Sequence, residues 1–252
     1  MPALLHAGDR EEGQRGHLEV QEVRLHVRWG GLDPPHRARE DVRARGAAED
    51  RAAQAAVSVR YLVTTTHRSN PRVRSLAKEL ARSLPRAVRV NRGKMSLAEV
   101  VERAKSLGAS RVVIVGRGLR GNPGRVEILE GLNPPFVSLV LKLRGVKLAR
   151  ELGVRPTPPL SAAVVAQPVP AAVEFAHELA AAMDLSILEG VRPEDLADSY
   201  DSVLLVEHVG RGGAAFALWF LDPRTGGPRG PRLLVERYAV IARGAVRGNG
   251  QP

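Results

Sequence analysis

The fold is decided by the stretch YLVTTTHRSNPRVRSLAKELARSLPRAVRV, which occupies residues 61–90. The segment VRYLVTT at 59–65 is rich in apolar and β-branched residues, which predicts a buried strand. Asn70 is a favourable N-cap and Pro71 stands at the first helical position, so a helix is predicted to begin there. Its apolar residues recur at intervals of three and four, and a short strand is predicted over 87–91. This order of elements is typical of an α/β unit.

The alternation of strand and helix continues along the next fifty residues. The sequence SLAE at 96–99 forms a capping box, and the helix that it opens is predicted to end at Gly108. A glycine-rich connection at 116–124 then separates two strands. The strands predicted in this part of the chain cover 111–115, 125–129 and 136–143.

The pattern returns more weakly in the second part of the chain. A strand at 161–166 and a helix at 170–183 repeat the earlier order, and 202–222 repeats the strand, turn and strand of 111–130. A last strand is predicted over 232–243. The repeat predicts an α/β (α+β) fold of two similar α/β halves, although one continuous sheet would give the same alternation. The predicted halves are 56–155 and 160–245, joined by the proline-rich link at 155–159.

Residues 1–55 differ from the rest in composition. They contain no Lys, hold four of the seven His residues and mix both signs of charge densely. Only HLEVQEVRLHVRW at 17–29 alternates in a way that predicts a strand. We expect a poorly ordered extension, an appended strand, or residues translated from upstream of the true start, and we assign no function to them.

Positive charge is concentrated in the middle of the chain. The net charge is +11, but residues 1–55 carry −1 and residues 161–252 carry −3, whereas 56–160 hold 21 Lys and Arg against 6 Asp and Glu, a net +15. Abundant Ala, Arg, Gly, Val and Pro indicate GC-rich codons, but such a bias would spread charge evenly. A concentrated positive field attracts polyanions through counterion release, so nucleic acid is the favoured partner over an anionic membrane.

Patterns typical of catalysis are scarce. Cys is absent, which excludes thiol chemistry and disulfides, and no apolar run approaches the roughly 20 residues that span a bilayer. The glycines at 116–124 lack phosphate-loop spacing, and Lys94-Met95-Ser96 matches part of a synthetase loop without that enzyme's other nucleotide-binding residues. His67, His177 and His208 lack zinc-ligand spacing. We expect a cytoplasmic protein with no enzymatic activity, no cofactor, no metal and no small-molecule substrate.

RNA contacts are predicted at basic and small polar residues between 65 and 147. On the helix from Asn70, cations recur every four positions opposite the apolar stripe, and the threonines before it stand at a helix N-terminus that attracts phosphate. In RVNRGK at 89–94, glycine permits close backbone approach, and Asn91 either contacts a base edge or holds the loop. Few aromatic residues are present, which favours backbone and shape recognition of structured RNA. The predicted contacts are Thr65, Arg68, Arg72, Arg74, Lys78, Arg89, Asn91, Arg92, Gly93, Lys94, Arg117, Arg120, Lys142, Arg144 and Lys147.

Residues 61–128, followed by LVLKLRGVKLARELG at 139–153, resemble the Brix domain in its shorter archaeal form. The features in family order are the threonines with Arg68 and Pro71, the string at 89–94, the turn at 121–124 and the strand at 142–147. His67 stands where the family usually has Ser or Arg. The likeness is fainter over 160–245.

This resemblance implies a ribosome biogenesis factor that binds ribosomal RNA or its precursor and assists its processing and folding, together with other ribosome assembly proteins. It also implies two halves that are similar to each other and to the anticodon-binding domain of class IIa aminoacyl-tRNA synthetases. Two alternatives stay open from the residues themselves. One is an RNA-acting enzyme that modifies or processes tRNA or rRNA, and the other is a protein-protein adaptor that uses the acidic second half within preribosomes.

Overall fold

The computed structural model describes residues 59–211 and 213–243. All of these residues belong to the same compact unit. The predicted extension over 1–55, with its candidate strand, lies outside the described residues.

The first part of the described chain contains two helices and five strands. Helix α1 is Pro71–Ser83 and helix α2 is Leu97–Ser106. The strands are β1 (Tyr61–Thr65), β2 (Ala87–Arg89), β3 (Arg111–Arg117), β4 (Pro123–Leu129) and β5 (Phe136–Lys147).

The second part repeats this sequence of elements with one helix fewer. Helix α3 is Pro170–Met183, and a short 3-10 turn at Pro193–Leu196 stands in the place that α2 takes in the first part. The strands are β6 (Ala162–Ala166), β7 (Ser186–Leu188), β8 (Ser202–Arg211), β9 (Ala214–Leu221) and β10 (Pro228–Arg243).

All ten strands belong to one mixed sheet in the order β2-β1-β3-β4-β5-β10-β9-β8-β6-β7. The strands follow the same order from either end of the sheet to its middle. The order β2, β1, β3, β4, β5 of the first part corresponds to β7, β6, β8, β9, β10 of the second. In each part the first three strands are parallel and the rest antiparallel. The two sets meet where β5 pairs with β10 in antiparallel fashion. With one large sheet and few helices, the fold is of the mixed α+β kind.

Helix starts follow the local signals in the sequence. The Asn70 side chain accepts a hydrogen bond from the Val73 N–H, and Pro71 occupies the first turn. Ser96 and Glu99 form the complete capping box of α2. These predictions are confirmed because a cap acts within four residues and needs no distant partner.

One hydrophobic core joins the two parts of the chain. Leu76 and Leu80 of α1 belong to the same buried cluster as Phe175 and Leu179 of α3. The phenol of Tyr61 on β1 also donates to the carbonyl of the last residue of α3. On the opposite face, α2 covers a separate cluster beneath the first part, and a smaller cluster lies beneath the second. The two parts therefore share the packing that stabilises them.

Several strand limits differ from those predicted. β5 continues to Lys147 instead of ending at 143, and β10 begins at Pro228 instead of 232. The two strands pair with each other over most of their length, from Lys147 opposite Arg232 to Phe136 opposite Arg243, so pairing carries the extended conformation past the apolar residues. β2 ends at Arg89, short of the predicted 91, and the three-residue strand β7 was not predicted. Such pairing depends on a distant strand and leaves little local signal.

Within the described residues, no helix is both long and apolar enough to cross a membrane.

Candidate nucleic-acid interface

Three loops meet at one edge of the sheet in the first part of the chain. β2, β1 and β3 are adjacent and parallel, so the segments that follow their carboxyl ends emerge side by side. Binding sites in parallel sheets commonly form at such an edge. We call the residues 66–70, 89–94 and 117–122 the loop surface.

Hydrogen bonds tie the second loop to strand β1 and to the first loop. The Val90 N–H donates to the Val63 carbonyl at 2.9 Å, and the Thr64 hydroxyl donates to the Val90 carbonyl at 2.9 Å. His67 Nδ1 lies 3.3 Å from the Gly93 carbonyl oxygen, which can only accept, so the proton of this contact is on Nδ1. Gly93 has φ 53°, in the left-handed region that favours glycine.

The string at 89–94 divides into residues that hold the loop and residues that face solvent. Arg89 donates to the Asn91 side-chain oxygen at 2.9 Å, and Arg92 Nε donates to the Met95 carbonyl at 3.0 Å. Partial burial lowers the pKa of Arg92, an effect that the nearby Glu127 carboxylate opposes. Lys94 is exposed and forms no ion pair with any described residue.

The third loop is fixed by a side chain from the first. The Asn70 amide donates to the Gly121 carbonyl while its oxygen caps α1. Within the turn, a Cβ on Gly118 would lie 2.6 Å from the Gly124 Cα, and one on Gly124 would lie 2.3 Å from the Gly118 Cα. Only glycine permits this backbone approach, which places Arg117 and Leu119 at the exposed tip of the hairpin.

A groove of about 1020 Å³ borders the third loop. Its walls include Gly118, Lys142, Arg144, Gly213 and Glu236, so residues of both parts of the chain line it. Lys142 Nζ forms an ion pair with the Glu236 carboxylate at 2.6 Å. The hydrogen bond from Lys142 lowers the pKa of Glu236, which keeps this carboxylate charged beside the predicted RNA contacts.

The remaining predicted contacts on α1 have different surroundings. Arg72 pairs with Glu151 at 2.7 Å and donates to the Val146 carbonyl, so it fastens α1 to the end of β5. Arg74 donates to the Ser69 carbonyl at 2.9 Å, whereas Lys78 faces a separate cleft near the helix end.

The structure thus distributes the predicted residues over three places. Thr65 is only 7% exposed at the end of β1, so its side chain offers little surface to a ligand. Lys147 is exposed at the end of β5. The loop surface or its border holds Thr65, Arg68, Arg74, Arg89, Asn91, Arg92, Gly93, Lys94, Arg117 and Arg120; the groove and the end of β5 hold Lys142, Arg144, Lys147 and Arg72; Lys78 lies apart.

The sequence did not predict the contacts between residues that are distant in the chain. Arg82, Arg150 and Arg155 line the cleft that contains Lys78, and Glu236 reaches Lys142 across 94 residues. Asn70 was recognised as a cap but not as the link to the turn at Gly121. Among the described residues, no group of three His, Cys, Asp or Glu side chains is arranged to hold a metal ion.

Comparison with known proteins shows relatives among archaea. A protein of Aeropyrum pernix is 44% identical over 93 residues, which cover 35% of this chain and half of the relative. A protein of Methanopyrus kandleri is 32% identical over 157 residues, which cover 60% of this chain and 70% of the relative. Both are described as probable Brix domain-containing ribosomal biogenesis proteins. No family model matches the chain.

Two solved structures have a similar fold. The crystal structure of a probable ribosomal biogenesis protein from Aeropyrum pernix K1 superposes with a TM-score of 0.56 at 29% identity and covers 75% of this chain and 98% of its own. Mil, an archaeal Imp4-like protein, gives a TM-score of 0.51 at 22% identity and covers 72% of this chain and 99% of its own. The second likeness concerns the fold alone.

Proposed function

The chain belongs to the Brix domain-containing ribosomal biogenesis proteins, and from that premise we propose that it binds precursor ribosomal RNA through the loop surface and the adjoining groove. In this role it assists the processing and folding of the RNA without performing catalysis. The observation that carries the proposal is the convergence of three cation-bearing loops at the carboxyl ends of β2, β1 and β3, within the part of the chain that carries net +15.

The arrangement of donors supports backbone recognition. Lys94 and Arg68 are exposed, whereas Arg89 and Arg92 are oriented by hydrogen bonds to Asn91 and Met95. Preoriented guanidinium groups lose less entropy when they bind phosphate oxygens in two places. These loops contain no Phe, Tyr or Trp, and His67 is their one aromatic ring, so we expect contact with phosphate and ribose of structured RNA more than base stacking.

The second half has a different proposed role. Residues 161–252 carry net −3, so a polyanion is repelled there and the surface is available to other assembly proteins. The division into halves at 56–155 and 160–245 is a further part of this proposal and rests on the repeat in the sequence. The likeness to synthetase anticodon-binding domains is another part and rests on the family resemblance.

Binding of the purified protein to precursor rRNA fragments at several salt concentrations tests the proposal. We expect affinity to fall steeply with salt, and the triple variant R89A/R92A/K94A to bind at least about tenfold more weakly with a smaller salt slope. Replacing Arg192, Arg224 and Lys105, three exposed cations outside the loop surface and the groove, with Ala provides a control of equal charge change. Equal losses in both variants contradict the proposed location. Turnover of ATP or cleavage of the RNA favours the enzyme alternative.

A further inference from the structure

A second group of cations surrounds a cleft on the outer side of α1. The cleft has a volume of about 320 Å³ and lies between the second half of the helix and the segment 149–156. Its lining residues are Ser75, Lys78, Glu79, Arg82, Arg150, Val154, Arg155 and Pro156.

The far wall of this cleft is fixed to α1 by hydrogen bonds. The Glu79 carboxylate accepts a hydrogen bond from the Ala149 N–H at 2.8 Å. The Arg72–Glu151 ion pair fastens the same turn to α1 at a position about two helical turns before Glu79. Gly153 ends the turn with φ 73°, a left-handed conformation that sends the chain back along the helix. These contacts hold the segment 149–156 against α1, and they thereby fix the position of Arg150 and Arg155 in the cleft.

Positive charge in the cleft exceeds the negative charge available to balance it. Lys78, Arg82, Arg150 and Arg155 are exposed, and none of them forms an ion pair with a residue in the described part of the chain. The one carboxylate in the lining is Glu79, and burial raises its pKa. Four cations gathered around one carboxylate that is already hydrogen-bonded repel one another, and a bound anion would relieve this repulsion.

Cations on α1 stand between the loop surface and the cleft. Arg74, Lys78 and Arg82 stand four residues apart, so each is displaced from the next by about 6 Å along the helix axis. Arg74 contacts Ser69 in the first loop, and Arg82 lies in the cleft. A row of cations thus leads from one site to the other.

We propose that the cleft formed by Lys78, Arg82, Arg150 and Arg155 is a second phosphate-binding site, which takes a backbone phosphate of the RNA whose main contact is the loop surface. This inference rests on the proposed function and extends it. It predicts the path of the bound RNA, which runs from the carboxyl edge of the sheet along α1. A phosphate group of a free nucleotide has the same chemistry, and the test separates the two sources.

The RNA arm uses the full chain and a hairpin fragment of precursor rRNA. We expect R82Q/R150Q to weaken binding about tenfold and to reduce the salt slope by about one, because the contact with one phosphate is lost. The matched control is R103Q/K105Q, which removes the same charge from the exposed side of α2 and should change affinity less than about threefold. Thermal unfolding verifies that both variants are folded. Equal affinities and slopes in the two variants overturn an RNA site.

A gain of affinity provides a readout that misfolding cannot imitate. The variant E79Q removes the negative charge but keeps an oxygen that accepts from the Ala149 N–H, so binding should strengthen by about two- to threefold. Unchanged or weaker binding in a folded E79Q contradicts the proposal.

Tripolyphosphate serves as the probe for a free phosphate source. If it binds the chain in the micromolar range and loses that binding in R82Q/R150Q while RNA affinity stays unchanged, the cleft is a site for free phosphate. If neither ligand responds to R82Q/R150Q, no phosphate site exists there. The loop variant R89A/R92A/K94A separates the two proposals, because its loss of affinity supports the loop surface even when the cleft fails.

Discussion

The side-chain amide of Asn70 donates to the carbonyl of Gly121, so the residue that starts α1 also fixes the hairpin between β3 and β4. The same side chain caps the helix by accepting from the Val73 N–H. Two of the three loops in the proposed interface therefore depend on one residue, and its two functions can be separated by substitution.

The variant N70D should retain the helix cap and lose the contact with Gly121, because a carboxylate accepts hydrogen bonds and cannot donate one. We expect N70D to lower the free energy of unfolding by about 1 kcal/mol and N70A by about 2 kcal/mol, since alanine removes both contacts. Urea unfolding measures these changes. The control S96A removes a cap that has no cross-loop contact and should cost about 1 kcal/mol. Equal stability of N70D and wild type contradicts the link.

The Gly118–Gly124 approach predicts a position-specific effect of alanine. A methyl group at Gly124 would meet the Gly118 Cα at 2.3 Å, so G124A must displace the backbone of the hairpin. We expect a loss of about 1–3 kcal/mol together with weaker RNA binding. At Gly131 a Cβ would find no atom within 4 Å, so G131A should change stability by less than about 0.5 kcal/mol. Similar unfolding temperatures for the two variants would show that the hairpin tolerates the methyl group.

The Lys142–Glu236 ion pair predicts a variant with increased RNA affinity. Glu236 holds Lys142 at 2.6 Å and repels a phosphate that approaches the groove. Removing this charge in E236Q should raise affinity by about two- to fivefold at low salt and less at high salt, because the interaction is screened. Fluorescence anisotropy across a salt series measures the effect, and E194Q serves as a control on the exposed turn of the second half. An affinity unchanged in E236Q excludes the groove from the RNA contact.

Tyr61 should make stability depend on pH in the alkaline range. Burial raises its pKa to about 12, and its phenol donates to the Met183 carbonyl. An unfolded chain releases this proton near pH 10, whereas the folded chain retains it to about pH 12. The stabilisation is therefore complete below pH 10 and is lost as the pH rises between these values, at about 1.4 kcal/mol per unit.

Comparison of wild type with Y61F isolates this contribution, since other titrating groups are common to both. At neutral pH we expect Y61F to lower the free energy of unfolding by about 1–3 kcal/mol, because a buried carbonyl loses its donor. The difference between the proteins should shrink as the pH rises above 10. A difference that stays constant to pH 12 contradicts the raised pKa of Tyr61.

Local signals accounted for much of the fold. Signals that act over a few residues predicted four elements correctly. They are the helix starts at Asn70 with Pro71 and at Ser96 with Glu99, and the apolar runs at 61–65 and 162–166. The sheet as a whole was not predicted in this way. Whether two halves form separate sheets or one depends on the pairing of β5 with β10, whose partners are about 85 to 107 residues apart in the chain.

The sequence predicted which residues belong to the candidate site, but it did not predict the contacts between them. The exposed positions of Arg68 and Lys94 follow from their place after strands. Two other roles depend on contacts between residues that are far apart in the chain, so no local pattern predicts them. Arg72 fastens α1 to the turn at Glu151, and Lys142 pairs with Glu236. The cleft with Arg82 and Arg150 was missed for the same reason, since its two walls are 68 residues apart.

Ultraviolet crosslinking of the full chain to precursor rRNA, followed by identification of the crosslinked peptides, tests directly whether RNA binds at the loop surface. We expect crosslinks in peptides that contain residues 66–74, 89–94 and 117–125, with few in 161–243. Crosslinks confined to 161–243 would contradict it, because the RNA would then lie on the half that carries the negative charge.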